Sequence, residues 1–149
     1  MSTPTERQRC VHTRHRPPAP KGVDALSNYC LGLWRRAPWR QREFAACAHR
    51  IDLLREELTT LKDGALDKRI QDFRQRRRAH PNDLDGSLEE GLALLAVAAQ
   101  RELGLSAYVV QLMASAALAR GFLTEVDTGE GKTLALALTA AFQAWTGRP

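Results

Sequence analysis

No apolar run in this chain approaches the roughly 18 residues that a membrane-spanning helix needs, so no transmembrane segment is expected. The charged N-terminus is followed by no apolar stretch, so a secretory signal peptide is not expected and a cytosolic product is. Cysteine is scarce. Cys10, Cys30 and Cys47 are odd in number, widely spaced and form no Cys-x-x-Cys pair, so a disulfide framework is not expected. Cys10, His12 and His15 lie close enough in sequence to suggest metal ligands. Their setting is a Pro- and Arg-rich tail, where such side chains are ordinarily solvated, and no metal centre is expected from them.

What the chain does have is ordinary globular composition, with 149 residues, 44% of them hydrophobic, and a net charge of +5. A domain of this length buries about 68 to 70% of its unfolded surface, which is enough for a true core. Residues 1–24 read as a flexible basic leader carrying Pro4, Pro17, Pro18 and Pro20. A short segment follows in which Trp34 and Trp39 alternate with Arg35, Arg36, Arg40 and Arg42. Aromatic–arginine interleaving suits a nucleic-acid surface by stacking and phosphate contact, or an anionic membrane surface. It equally suits a solvated edge with both tryptophans packed on the domain.

Helical periodicity dominates the remainder. Phe44, Cys47, Ala48, Ile51, Leu54, Leu58 and Leu61 recur every three or four residues, predicting a helix over about 41–62 that Gly64 breaks. Leu66, Ile70 and Phe73 predict a second helix. The arginines near its end, Arg74, Arg76, Arg77 and Arg78, suit the helix dipole on a solvated face at least as well as they suit nucleic acid. Pro81 ends it. Ser87-Leu88-Glu89-Glu90 reads as a capping box for a third helix, with Leu88, Leu92, Leu95, Ala99 and Leu103 as its buried face and Gly104 as its stop. A fourth helix is expected over about 109–120.

The most informative run is Thr128-Gly129-Glu130-Gly131-Lys132-Thr133. Glycines let backbone N–H groups approach phosphates closely, the lysine reaches the β- and γ-phosphates, and the threonine hydroxyl ligates Mg²⁺. Such a run arises by accident in roughly one chain of this length in a few hundred. Its required context is strand, loop, helix. Phe122-Leu123-Thr124-Glu125-Val126 is read as the strand, and Lys132 to Trp145, apolar nearly all round, as the helix. Val126 stands where many phosphate loops carry their first glycine, which points away from Ras-like and adenylate-kinase-like loops and towards helicase-type motor ATPases.

From Glu125 to Leu134 the sequence resembles the first nucleotide-binding motif of SecA, the preprotein translocase ATPase family. Leu103-Gly104-Leu105 and Tyr108-Val109-Val110-Gln111-Leu112 resemble the family segment that precedes this motif and contacts adenine. The likeness extends weakly back to about Phe44. By that resemblance Gln111 bonds the base, with Tyr108 and Leu105 beside it, and an amide can both donate to and accept from adenine. The site set implied is Leu105, Tyr108, Gln111, Thr128, Gly129, Glu130, Gly131, Lys132 and Thr133, holding ATP and Mg²⁺, with Thr133 on the metal. Where family members commonly carry Gly-Gly after the Gln-Leu pair, this sequence has Ala114-Ser115, a difference that bears on helix packing.

The resemblance implies a mainly α chain with one or two short strands. It would comprise an N-terminal helical portion and the first strand-loop-helix of an α/β P-loop motor domain, with residues 25–149 as a partial ATP-binding domain. It also implies a SecYEG-type membrane channel and unfolded preproteins as partners, a cytoplasmic location with peripheral attachment to the inner membrane, and acidic lipid rather than nucleic acid at the Trp/Arg segment. Hydrolysis needs a further carboxylate for Mg²⁺, a group that positions water and usually an arginine finger, and this stretch offers none in the family order. The expectation is therefore an incomplete motor. Two function classes stay open: the ATP-binding N-terminal portion of a SecA-like translocase, or a non-catalytic basic helical module that binds a protein partner or acidic lipid. A small P-loop kinase or GTPase is disfavoured, because no base-specificity or Mg²⁺ motif follows.

Overall fold

The computed structural model describes residues 25–27, 29, 30, 32, 38–80, 83–127 and 129–145. The expected leader, Trp34, Arg35, Arg36, Pro81 and Thr128 lie outside the described residues. The chain divides into two units, 1–37 and 38–149. Within the first, the described residues are helical. The described residues of the second unit form five helices: α1 (Pro38–Thr59), α2 (Asp63–Ala79), α3 (Leu84–Leu103), α4 (Val109–Ala119) and α5 (Lys132–Ala144).

The apolar stripe of α1 packs as its spacing predicts, with Phe44, Cys47, Ala48 and Ile51 buried and Leu54 and Leu58 lining the edge of the core. Leu88, Leu92, Ala93, Leu94, Ala96 and Val97 make α3 the central helix, buried over most of its circumference. Leu112 from α4 and Leu138 and Phe142 from α5 complete the cluster. At Gly91 the rings of Phe73 and Phe142 lie where a side chain would start, the nearest ring carbon being 2.6 Å from an ideal Cβ position. Glycine there lets α3 accept both aromatics, a gain in packing that outweighs its poor helix propensity.

Several expected boundaries shift for identifiable reasons. Gly64 does not break the chain but occupies the first turn of α2, where backbone N–H groups lack intrahelical partners and a glycine costs little. The third helix starts before Ser87. Asp83 is its N-cap, accepting from the Gly86 N–H at 3.1 Å, and Ser87 instead donates to the Asp83 carbonyl at 2.6 Å. Leu103, expected on the buried face, is largely exposed.

The expected strand is the main correction. Among the described residues there is no strand, and the strand-loop-helix of an α/β fold is absent. Residues 122–127 are irregular, although their exposure alternates, with Phe122, Thr124 and Val126 half-buried and Leu123, Glu125 and Asp127 exposed. A strand exists only as a partner to another, and the described chain supplies no second strand for this one to pair with. The alternating pattern in the sequence was therefore a true face preference without the ladder that would make it a sheet.

The arginines at the end of α2 have structural work. Arg77 is buried, donates to the carbonyls of His80 and Asp83 at 3.2 and 3.0 Å, and stacks over Phe142. Arg76 and Arg69 both pair with Glu90 on α3. In the Trp/Arg segment, Arg40 stacks on Trp39 and on Phe122 at 5.0 and 5.1 Å, the packed-edge arrangement for that part of it. Small residues let α4 and α5 approach. Ser115 is fully buried, with Oγ 2.8 Å from the Gln111 carbonyl and 3.1 Å from that of Ala135, so the Ala114-Ser115 pair forms a close, hydrogen-bonded helix contact.

Candidate functional site

Two backbone features build the site. The αL glycine Gly104 (φ 68°) ends α3, its N–H returning to the carbonyls of Ala99 and Gln100, and turns the chain into the segment Leu105–Tyr108. Gly129 and Gly131, at φ 98° and 70°, shape the loop that enters α5. Gly131 is the N-cap of that helix and brings no side-chain cap, while its own carbonyl accepts from the Leu134 N–H at 3.0 Å, so any anion capacity rests on the amides ahead of Leu134.

Gln111 joins these two features. Its Oε1 accepts from the Tyr108 N–H at 3.1 Å, the acceptor half of a capping box on α4. Its Nε2 donates to the Glu130 carbonyl at 2.9 Å. A Cβ on Gly131 would collide with the same amide, so the loop approaches Gln111 as closely as only glycine permits. The two bonds fix which end of the amide is oxygen. They leave one N–H and one lone pair over, since a primary amide offers two donors and two acceptor positions.

A cleft of about 730 Å³ lies along this junction, within the size range of small-molecule sites. Its walls include Leu105, Tyr108, Gln111, Gly129, Glu130, Gly131 and Thr133, seven of the nine residues expected at the site. Leu105 and Tyr108 are exposed at its rim and offer an apolar and an aromatic surface without need of rearrangement. Lys132 lines a second cavity of about 460 Å³ with Thr124, Glu125, Val126 and Leu136, and the two cavities share no lining residue. Successive helical residues diverge by about 100°, which separates the bases of the Lys132 and Thr133 side chains. The remaining expected residue, Thr128, is outside the described set.

Sequence reasoning missed the residues behind the site. Arg55, on α1, donates to the Ala107 carbonyl at 2.7 Å. Arg101, on α3, donates to the carbonyls of Thr59 and Leu61 at the end of α1 and pairs with Asp63. In sequence Arg55 reads as an i, i+3 surface partner of Asp52, which it also is, and nothing local signals a bond 52 residues away. Away from the cleft, Arg50 holds the Glu89 carboxyl below its ordinary range by direct hydrogen bonds. Burial pushes the nearby Cys47 thiol up.

Residues 33–149 match the family model described as the SecA DEAD-like domain. This chain belongs to the SecA family. Among its relatives, a protein translocase subunit SecA 2 of Chlorobium chlorochromatii is 34% identical over 135 residues, covering 90% of this chain and 20% of the relative. A SecA 2 of Mycolicibacterium vanbaalenii is 42% identical over 107 residues, 72% of this chain and 12% of the relative. The SecA subunit of Frankia casuarinae is 38% identical over 107 residues, 72% of this chain and 11% of that protein. This SecA-family chain thus spans a fifth or less of the length of these relatives. No solved structure matches it. No described helix is long and apolar enough to cross a membrane, and no group of three or more metal-ligating side chains occurs among the described residues.

Proposed function

We propose that this chain binds Mg²⁺-ATP as the nucleotide-binding portion of a SecA-type translocase. The observation that carries the proposal is the Gln111–Glu130 hydrogen bond, which ties the segment expected to hold the base to the loop expected to hold the phosphates along one cleft. In this reading Gln111 recognises adenine with its remaining donor and acceptor, while Tyr108 and Leu105 cover the ring. Gly129 and Gly131 would present backbone amides to the phosphates, beside Glu130, whose N–H donates to the Asp127 carbonyl at 3.3 Å. Lys132, which lines the other cavity, would have to swing across on its flexible stem to reach the phosphates, and Thr133 would supply a hydroxyl to Mg²⁺. Two observations support the reading: no side chain caps the start of α5, and the rim of the cleft is apolar and open. Bound Mg²⁺-ATP would supply the free energy of phosphoryl transfer to the larger machine.

By the same reading the larger protein drives unfolded preproteins through a SecYEG-type channel, from the cytoplasmic side and peripherally attached to the inner membrane, with acidic lipid as a contact. The test is a calorimetric titration with Mg²⁺-ATP, with Lys132→Ala as the control and Trp145 fluorescence as a local reporter. Saturable binding that the substitution abolishes supports the reading; no binding by the unsubstituted chain overturns it.

A second reading, a non-catalytic module that binds a protein partner or acidic lipid, draws on a different observation. Leu123 is fully exposed and, with half-exposed Leu136, borders the apolar second cavity. Sedimentation with anionic vesicles that is unaffected by ATP and by Lys132→Ala would favour it.

A further inference from the structure

We infer that Arg55 is the positioning residue for base recognition, an inference that rests on the nucleotide reading above. The segment Leu105–Tyr108 is held at its start by the Gly104 turn and at its end by the Gln111 amide. Between these two anchors Arg55 reaches across from α1. Its Nη1 donates to the Ala107 carbonyl at 2.7 Å and lies 3.3 Å from Ser106 Oγ, while its Nη2 pairs with Asp52 Oδ1 at 2.7 Å. The Arg55 side chain as a whole is 17% exposed, and Ala107 is the buried residue of an otherwise exposed segment.

Chemistry favours this arrangement over a plain surface ion pair. Asp52, three residues away on the same helix, balances the charge at Nη2 as an ion pair, while Nη1 makes the hydrogen bond to the loop. A charge-assisted bond to a backbone carbonyl is stronger than a neutral one and directional. Fixing the Ala107 carbonyl fixes the peptide that joins Ala107 to Tyr108, and so the start of α4. The Tyr108 ring and the Leu105 side chain, both exposed, then stand at a set distance from Gln111 along the cleft wall. Arg55 would touch no nucleotide; its part is to hold the surface against which the base lies. The phosphate loop is reached from the other side of Gln111, so Arg55 acts on base binding and leaves phosphate binding alone.

The experiment compares the whole chain with Arg55→Ala and Arg55→Lys, using ATP and inorganic triphosphate, each with Mg²⁺, as probes. Arg55→Ala should weaken ATP binding about tenfold, the low end of what a bond from a charged donor contributes, and change triphosphate binding by less than about twofold. Arg55→Lys, which keeps one charged donor but not the fork, should recover part of the loss. Hydrogen exchange should quicken at the amides of 105–109 in Arg55→Ala and stay unaltered in α3 and α5. Equal losses for both probes, or unchanged exchange in 105–109, overturns the inference and leaves the nucleotide reading standing. An unsubstituted chain that binds neither probe defeats the nucleotide reading, and the role of Arg55 falls with it.

Discussion

Gln111 donates to the Glu130 carbonyl at 2.9 Å and thereby ties the first turn of α4 to the loop that opens α5. Nineteen residues separate the two in sequence, and the irregular segment from Phe122 to Asp127 lies between them. The bond makes the base side and the phosphate side of the cleft a single mechanical unit. A change that displaces the Gln111 amide itself is therefore felt on both sides, whereas one confined to the segment 105–107 is not.

Gly131→Ala tests that unit. The residue stands at φ 70°, which costs an L-residue about 1–2 kcal/mol, and its new Cβ would strike the Gln111 amide. Displacing Gln111 from Glu130 should abolish ATP binding in a calorimetric titration and lower the melting temperature. Gly129→Ala provides the contrast. Its φ of 98° is also unfavourable, but nothing lies within 4 Å of the Cβ position, so it should lose stability without disturbing Gln111.

Gly91→Ala should destabilise the helical core without touching the cleft. The added methyl would meet Phe142 at 2.6 Å and Phe73 at 2.7 Å, and overpacking of this kind costs about 1–3 kcal/mol. Denaturant titration should show the midpoint falling. Equal or greater stability would mean that the two rings move aside freely.

The Arg50–Glu89 pair should make a small, pH-dependent contribution. Hydrogen bonds from Arg50 lower the Glu89 pKa in the folded state, so the stabilisation is present above the unfolded carboxylate value, about 4.3, and is lost as pH falls through the folded value. Half-exposed Arg50 limits the effect to under about 1 kcal/mol. Thermal melts of the unsubstituted chain and Glu89→Gln should differ at pH 7 and converge in acid. A gap that persists at low pH would mean that Glu89 acts by packing instead.

Cys47 should resist alkylation in the folded chain while Cys30 reacts. Cys30 is exposed, whereas Cys47 is buried, and burial raises its thiol pKa, so little thiolate forms near neutral pH. Peptide mapping after a brief iodoacetamide pulse, with and without denaturant, measures this. Native labelling of Cys47 at the rate of Cys30 would show that α1 opens readily from α3 and α4.

Much of the helical framework is legible in the residue order because burial on one face of a helix imposes a period that the sequence must carry. Phe44, Cys47, Ala48 and Ile51 on α1 and Leu88 and Leu92 on α3 announce their faces in this way. Ser87 and Glu90 satisfy a capping pattern, yet the third helix starts one turn earlier because Asp83, four residues before Ser87, offers its carboxylate to the Gly86 N–H. The alternation over 122–127 does not make a strand because it reports which side chains face inward, whereas pairing depends on a second segment that the pattern does not mention.

The amino-acid order by itself determined the helix periods and the glycines of the 129–131 loop, because these follow from local backbone sterics and from the burial of one face. It also carried the likeness to SecA. Tertiary structure alone decided that Gln111 would be anchored to Tyr108 and Glu130, that Lys132 and Thr133 would line different cavities, and that Arg55 would reach Ala107. Those outcomes depend on how α4 packs against α1 and against α5 through small and apolar residues, and side-chain hydrogen bonds between distant segments leave no period in the sequence.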